Sequence, residues 1–154
     1  MQEVNAMDPP PAVVSISYAD DECALPPAYV AAVDAEFKKA GVRGTTVVVS
    51  SGDNGVVGST LLGFCGTPAC SRYQKKKKSK ILKFDHFRPL LLHVVMAVGH
   101  NVGVFVNGGI QQTDGTSVSA PVVASLLAHV NKFRLDHGNP PLGYVVPYLY
   151  KVGG

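Results

Sequence analysis

A hydroxyl group at the mouth of a long apolar helix is the feature that most limits what this chain can become. Ala120 and Val122–Val130 run almost unbroken through apolar residues, and Asn131-Lys132-Phe133-Arg134 continues at helical spacing. The pattern predicts a helix that begins near Ser117 and stops at His137-Gly138-Asn139-Pro140, where glycine, asparagine and proline halt it. Pro121 is expected in the first turn, where the helix needs no N–H from that residue. Ser117 then lies among free backbone N–H groups at the positive end of the helix dipole. Such a setting suits a nucleophile whose attack creates negative charge nearby. The other reading makes Thr116 or Ser117 a helix cap, worth about 1 kcal/mol.

A second feature precedes it in the chain. Thr45–Val49 is a strand of Thr and Val alone, and it runs into Ser50-Ser51-Gly52-Asp53-Asn54-Gly55. Asp53 there is either a turn residue beside Gly52 and Gly55 or an acid presented at the end of a strand. Elsewhere the pattern predicts a strand at Val13–Ser17, a helix at Ala28–Ala40, strands at Thr45–Ser50 and Val94–Val98, and a short helix over Leu142–Tyr150. Strands and helices in this alternation predict a parallel sheet. Val102–Val106 and Ile110–Gln112 are expected to form a hairpin through Asn107-Gly108-Gly109 that delivers the chain to Ser117. At 154 residues and 46% hydrophobic content, the length suits one domain with a real core. The Asp53 turn and Ser117 would face one edge of the sheet, where α/β proteins commonly build ligand sites.

Gly115-Thr116-Ser117-Val118-Ser119-Ala120-Pro121 resembles the nucleophile motif of the subtilisin-like superfamily. Subtilisins place an asparagine at the oxyanion position and sedolisins an aspartate, so Asp53 points to the sedolisin branch, the serine-carboxyl peptidases. Pro10–Glu22 resembles the strand and acidic turn of tripeptidyl-peptidase I-like members, Ala28–Gly41 the helix that follows, and Arg134–Tyr150 the segment after the nucleophile helix. The resemblance implies an α/β fold, a subtilisin-like parallel sheet flanked by helices, here truncated. It implies a fragment of a serine-type peptidase domain, from a family whose complete members are acid-active endopeptidases or tripeptidyl-peptidases acting on peptides or proteins. Ser117 is implied as nucleophile and Asp53 as the oxyanion donor, which must be protonated to donate. Ser17, Tyr18, Ala19, Ser51 and Gly52 are implied to flank the first specificity pocket. Ala19 replaces a glycine usual at that place, which bears on how closely a substrate backbone approaches.

The sequence also departs from the family. A serine needs a neighbouring base to become reactive, and in sedolisins that base is a glutamate oriented by a second acid. Both lie on a helix well before the strand matched by Val13–Ser17. Only Glu3 and Asp8 precede that strand here, and Met1–Met7 resembles the tail of the helix leading into it. Loss of a triad leaves about 10³–10⁴-fold catalysis over water, so the isolated chain is expected not to turn over peptides at a useful rate. The alternative function is a catalytically inactive remnant that binds peptide or serves as a scaffold. Complete members carry calcium after the region matched by Leu142–Tyr150. Those ligands are missing here, so no metal or other cofactor is expected. Residues 1–154 read as a partial peptidase domain carrying a basic segment, about 74–92, with no family counterpart. That segment reads as an insertion or as translated non-coding sequence.

Lys75–Lys78, Lys80 and Lys83 hold six of the fourteen basic residues, and without them the net charge of +3 becomes −3. No aromatic residues interleave with the run, which reads as a solvated loop rather than a nucleic-acid surface. His86, His93 and His100 recur every seven residues, a spacing that does not converge ligands on one metal. Cys23, Cys65 and Cys70 are odd in number, and the last two flank a turn that an oxidising compartment would let them close. No run of about twenty apolar residues predicts a membrane span, and no secretory signal is expected at the start. Complete members are lysosomal or secreted, but localisation of this chain stays open.

Overall fold

The computed structural model describes residues 1–18, 25–53, 93–95 and 97–153. The fold is organised by the Thr/Val run, because β-branched side chains crowd a helix and suit a pleated surface. Strand β2 forms there, over Thr46–Ser50. It pairs in parallel with β1 (Val13–Ile16), setting Val13 opposite Thr46 and Ile16 opposite Val49. On its other side it pairs in parallel with β3 (His93–Val95), Val48 lying opposite His93. β2 is thus the centre of a three-stranded sheet.

Side chains alternate across the pleat, so neighbouring valines of β2 serve different faces. Val47 packs with Phe37 and Ala40 of helix α2 (Pro27–Val42). Val48 packs with Ala120 and Ala124 of helix α3 (Thr116–Asp136), whose small side chains let the helix come close. A strand covered on both faces has no solvent side to show, which is why Val47–Val49 runs without polar alternation. The expected helices on the sheet are therefore present, and the protein is a mixed α/β structure built on a small parallel sheet. Among the described residues no helix is long and apolar enough to cross a membrane.

Local chemistry sets the element ends. α2 runs slightly past the expected Ala28–Ala40 and stops where Gly44 takes φ +83°. The Thr45 N–H then reaches back to the Ala40 carbonyl at 2.9 Å, the closure typical of a helix that ends in a left-handed residue. Helix α1 (Gln2–Ala6) docks on α2 through Asn5, whose Nδ2 donates to the Glu36 carboxylate at 2.8 Å and to its carbonyl at 2.9 Å.

Two expectations need correction. The single strand expected at Val94–Val98 is divided: β3 ends at Val95, and β4 (Gly99–Val106) belongs to a separate antiparallel pair with β5 (Gly109–Gly115). The division follows from α3, because Ser119 Oγ donates to the Ala97 carbonyl at 2.5 Å and a side chain on Gly99 would stand 3.2 Å from Val118 Cβ. The hairpin turns at Asn107 and Gly108, with φ +51° and +81°, the type I′ signature of an Asn-Gly pair.

The terminal helix expected at Leu142–Tyr150 begins later, as α4 (Val146–Gly153). The preceding backbone is occupied elsewhere. Leu142 N–H donates to Asn131 Oδ1 at 2.8 Å, and the Thr46 hydroxyl both donates to the Gly143 carbonyl (2.7 Å) and accepts from Val145 N–H (3.2 Å). Ala19, Cys23, Cys65, Cys70, His86, the lysine run and the segment 74–92 lie outside the described residues.

Thr46 is only 2% exposed, so water cannot replace its hydroxyl. Thr46→Val keeps the shape and strands two backbone groups, and should lower stability by about 2 kcal/mol in urea unfolding. Unchanged stability would mean that Thr46 does not hold the Gly143–Val145 segment.

Candidate active site

Parallel pairing brings the ends of β1 and β2 to one edge of the sheet, since Ile16 stands beside Val49. Ser17 and Tyr18 leave from the first strand, and Ser51, Gly52 and Asp53 from the second. The start of α3 arrives at the same edge. Residues that are distant in sequence meet there through hydrogen bonds.

Asp53 reaches across to Thr116. The Thr116 N–H donates to Asp53 Oδ1 at 2.6 Å, and the Thr116 hydroxyl donates to the same oxygen at 2.8 Å. Thr116 is the first residue of α3, and the cap position before it, Gly115, has no side chain to offer. One orphan N–H of the helix mouth is thus satisfied by a carboxylate 63 positions away, which also lies favourably in the helix dipole. The capping reading of Thr116 and Ser117 is corrected accordingly: both residues lie within the helix, the N-cap position is Gly115, and the side chain that accepts the first helical N–H is that of Asp53. The backbone bond to Thr116, followed by its hydroxyl bond, holds the Asp53 carboxyl below the usual aspartate range, although the residue is exposed.

Gly115 makes this approach possible. It has φ +141°, a conformation strained for any other residue, and a Cβ there would stand 3.0 Å from Asp53 Oδ2. Gly52, at φ +90°, is needed for backbone conformation alone, because nothing lies within 4 Å of its Cβ position.

Ser117 is held by its backbone more than by its hydroxyl. Ser17 Oγ donates to the Ser117 carbonyl at 2.9 Å, whereas Ser117 Oγ meets the Ser17 carbonyl at 3.5 Å, the outer limit of a hydrogen bond. Pro121 explains why that carbonyl is open. The helix begins at Thr116, so Pro121 stands inside it and not in the first turn as the sequence suggested. With no N–H, Pro121 cannot bond the carbonyl four residues back, which is that of Ser117. The Ser17 hydroxyl takes the vacant acceptor.

The remaining expected site residues can be placed in turn. Tyr18 is 87% exposed and extends from the same edge. Ser51 turns its hydroxyl toward the Gly52 carbonyl at 3.5 Å, leaving it nearly free. Ala19 lies outside the described residues. Glu3 is exposed on α1, and among the described residues neither a carboxylate nor a histidine bonds Ser117 Oγ. His100 pairs instead with Asp114, Nδ1 to Oδ1 at 3.0 Å, on the exposed hairpin. Also among the described residues, no group of three or more His, Cys, Asp or Glu side chains gathers as metal ligands. Sequence reasoning missed two residues, Thr116 as the partner of Asp53 and Ser17 as the anchor of Ser117. Thr116 was visible in the motif but not its reach.

No protein-family model matches the chain. Individual relatives do. Tripeptidyl-peptidase 1 of Dictyostelium discoideum is 32% identical over 186 aligned positions, covering 92% of this chain and 31% of the relative. Tripeptidyl-peptidase 1 of Rattus norvegicus is 28% identical, covering 94% of this chain and 35% of the relative. Physarolisin of Physarum polycephalum is 47% identical over a shorter 57 residues, 37% of this chain. An alignment of 186 positions exceeds the 154 residues present, so the relative carries residues inside the matched region that this chain lacks. The chain spans about a third of the length of the tripeptidyl-peptidases it matches, and it belongs to the sedolisin family as part of a peptidase domain.

Proposed function

We propose that the chain is a fragment of a serine-carboxyl peptidase domain, residues 1–154 supplying the nucleophile, the oxyanion donor and one wall of the first specificity pocket. One observation carries the reading: the Asp53 carboxyl group bonds the residue next to Ser117, although the two segments are far apart in sequence. In this scheme Ser117 Oγ attacks a peptide carbonyl as a base from the rest of the peptidase domain takes its proton, and protonated Asp53 donates to the oxygen that becomes negative. Ser17, Tyr18, Ala19, Ser51 and Gly52 border the bound side chain. The small parallel sheet between α2 and α3 is the portion of a subtilisin-like sheet that this site requires.

A hydroxyl without a base is a poor nucleophile. Among the described residues Ser117 Oγ touches only a carbonyl, which favours the second reading, an inactive remnant that keeps a peptide-binding edge or serves as a scaffold. The two readings separate by assay. At about pH 4 the isolated chain should release no product from tripeptidyl or casein substrates in a Ser117-dependent way, while a peptide aldehyde should bind and lose affinity in Ser117→Ala. Cleavage abolished by Ser117→Ala would show that a base is present after all. Failure of the aldehyde to bind would leave only the scaffold.

Protonation of Asp53 carries a stability consequence with a definite sign. Its carboxyl is held below the usual aspartate value by the Thr116 bonds, so its stabilising contribution is complete above about pH 4. That contribution fades as pH falls through the lowered folded value. The group is exposed, so the effect is small. Comparing melting temperatures at neutral and strongly acid pH, Asp53→Asn should lose less on acidification than the native chain. Equal losses would disconnect the Asp53–Thr116 contact from acid unfolding.

A further inference from the structure

The two oxygens of Asp53 are not equivalent. Oδ1 accepts both the N–H and the hydroxyl of Thr116, at 2.6 and 2.8 Å. Oδ2 lies beside Gly115, 3.0 Å from the point a Cβ would occupy there. An oxygen already receiving two donors is a poor place for a proton, because an O–H there would face two others. The acid proton therefore belongs on Oδ2. Thr116 itself is 1% exposed, so no solvent molecule substitutes for its hydroxyl.

We propose that Thr116 is the positioning residue of Asp53: its hydroxyl fixes the carboxyl plane and confines the acid proton to Oδ2, leaving that atom as the donor. The inference rests on the reading of Asp53 as an oxyanion donor and adds which oxygen donates and what aims it. It also assigns Gly115 a purpose, since only a glycine leaves room for Oδ2 beside the start of α3. Around the carboxyl group, β5 presents Gly115 and α3 presents Thr116, and among the described residues no charged side chain acts on it.

The experiment follows the Asp53 carboxyl carbon by NMR through an acid titration of the whole chain, in native protein, Thr116→Val and Thr116→Ser. Removing one hydrogen bond to the charged form should make Thr116→Val bind the proton measurably more tightly than the native chain does. Thr116→Ser keeps the hydroxyl and should titrate as the native chain does. Native-like titration of Thr116→Val overturns the proposal, as does a Thr116→Ser titration that matches Thr116→Val. Should Thr116→Val not fold, the native protein still decides. The Thr116 amide proton must shift with the Asp53 midpoint, and an amide indifferent to that midpoint overturns the proposal. None of these readouts requires Ser117 to react, so a peptide assay that defeats the peptidase reading leaves the titration result standing.

Discussion

Everything described here depends on β2 being buried from both sides in one register. Val47 faces α2 and Val48 faces α3, so a slip of one residue would exchange the two packing surfaces. The same register puts Thr46 against the Gly143–Val145 backbone and sends Asp53 out at the edge where α3 begins. Core and candidate site are therefore not separate achievements of the sequence. A strand that holds its place in the core also delivers the acid.

The mouth of α3 shows how a local defect becomes a tertiary contact. A helix normally satisfies its own carbonyls and leaves its first N–H groups unpaired. Here Pro121 releases the Ser117 carbonyl, which Ser17 occupies, and Gly115 offers no cap, so Asp53 supplies one. Each missing local bond is replaced by one from a strand end. The helix mouth is thereby tied to β1 and β2, and the serine's backbone is fixed while its hydroxyl stays loosely held. That combination is suited to a side chain that must move on reaction.

Much of this could be read from residue pattern. The Thr/Val run gave its strand away because only a β-structure buried on both faces tolerates it, and Asn107-Gly108 marked the hairpin because few pairs accept two positive φ values. The apolar helix was equally plain, along with its stop at His137. What stayed hidden depended on partners. Val94–Val98 has the composition of one strand, and nothing in it announces that Ser119 will pin Ala97 and split the run. Leu142–Val145 looks helical until Asn131 and Thr46 claim its backbone. Pro121 was legible as a helix-start residue, but with α3 beginning at Thr116 it stands inside the helix. For the site, the motif indicated Ser117 and Asp53 together, whereas the bonds from Thr116 and Ser17 belong to geometry that spacing cannot encode.

The charge of Asp53 sets two demands against each other. As a carboxylate it satisfies the Thr116 N–H and suits the helix dipole, so the folded state favours the ionised form. In the proposed role of oxyanion donor it must carry a proton. Were the group buried and charge-paired, these demands would be hard to reconcile, because neutralising it would cost several kcal/mol. Exposure softens the conflict: solvent already screens much of what the carboxylate gains, so protonation in acid costs little. A substrate covering this edge would expel that water and push the carboxyl upward, toward the neutral form. The same contact can then brace the helix at neutral pH and still release a donor in acid, provided that Oδ1 keeps its bonds to Thr116 and Oδ2 alone changes state.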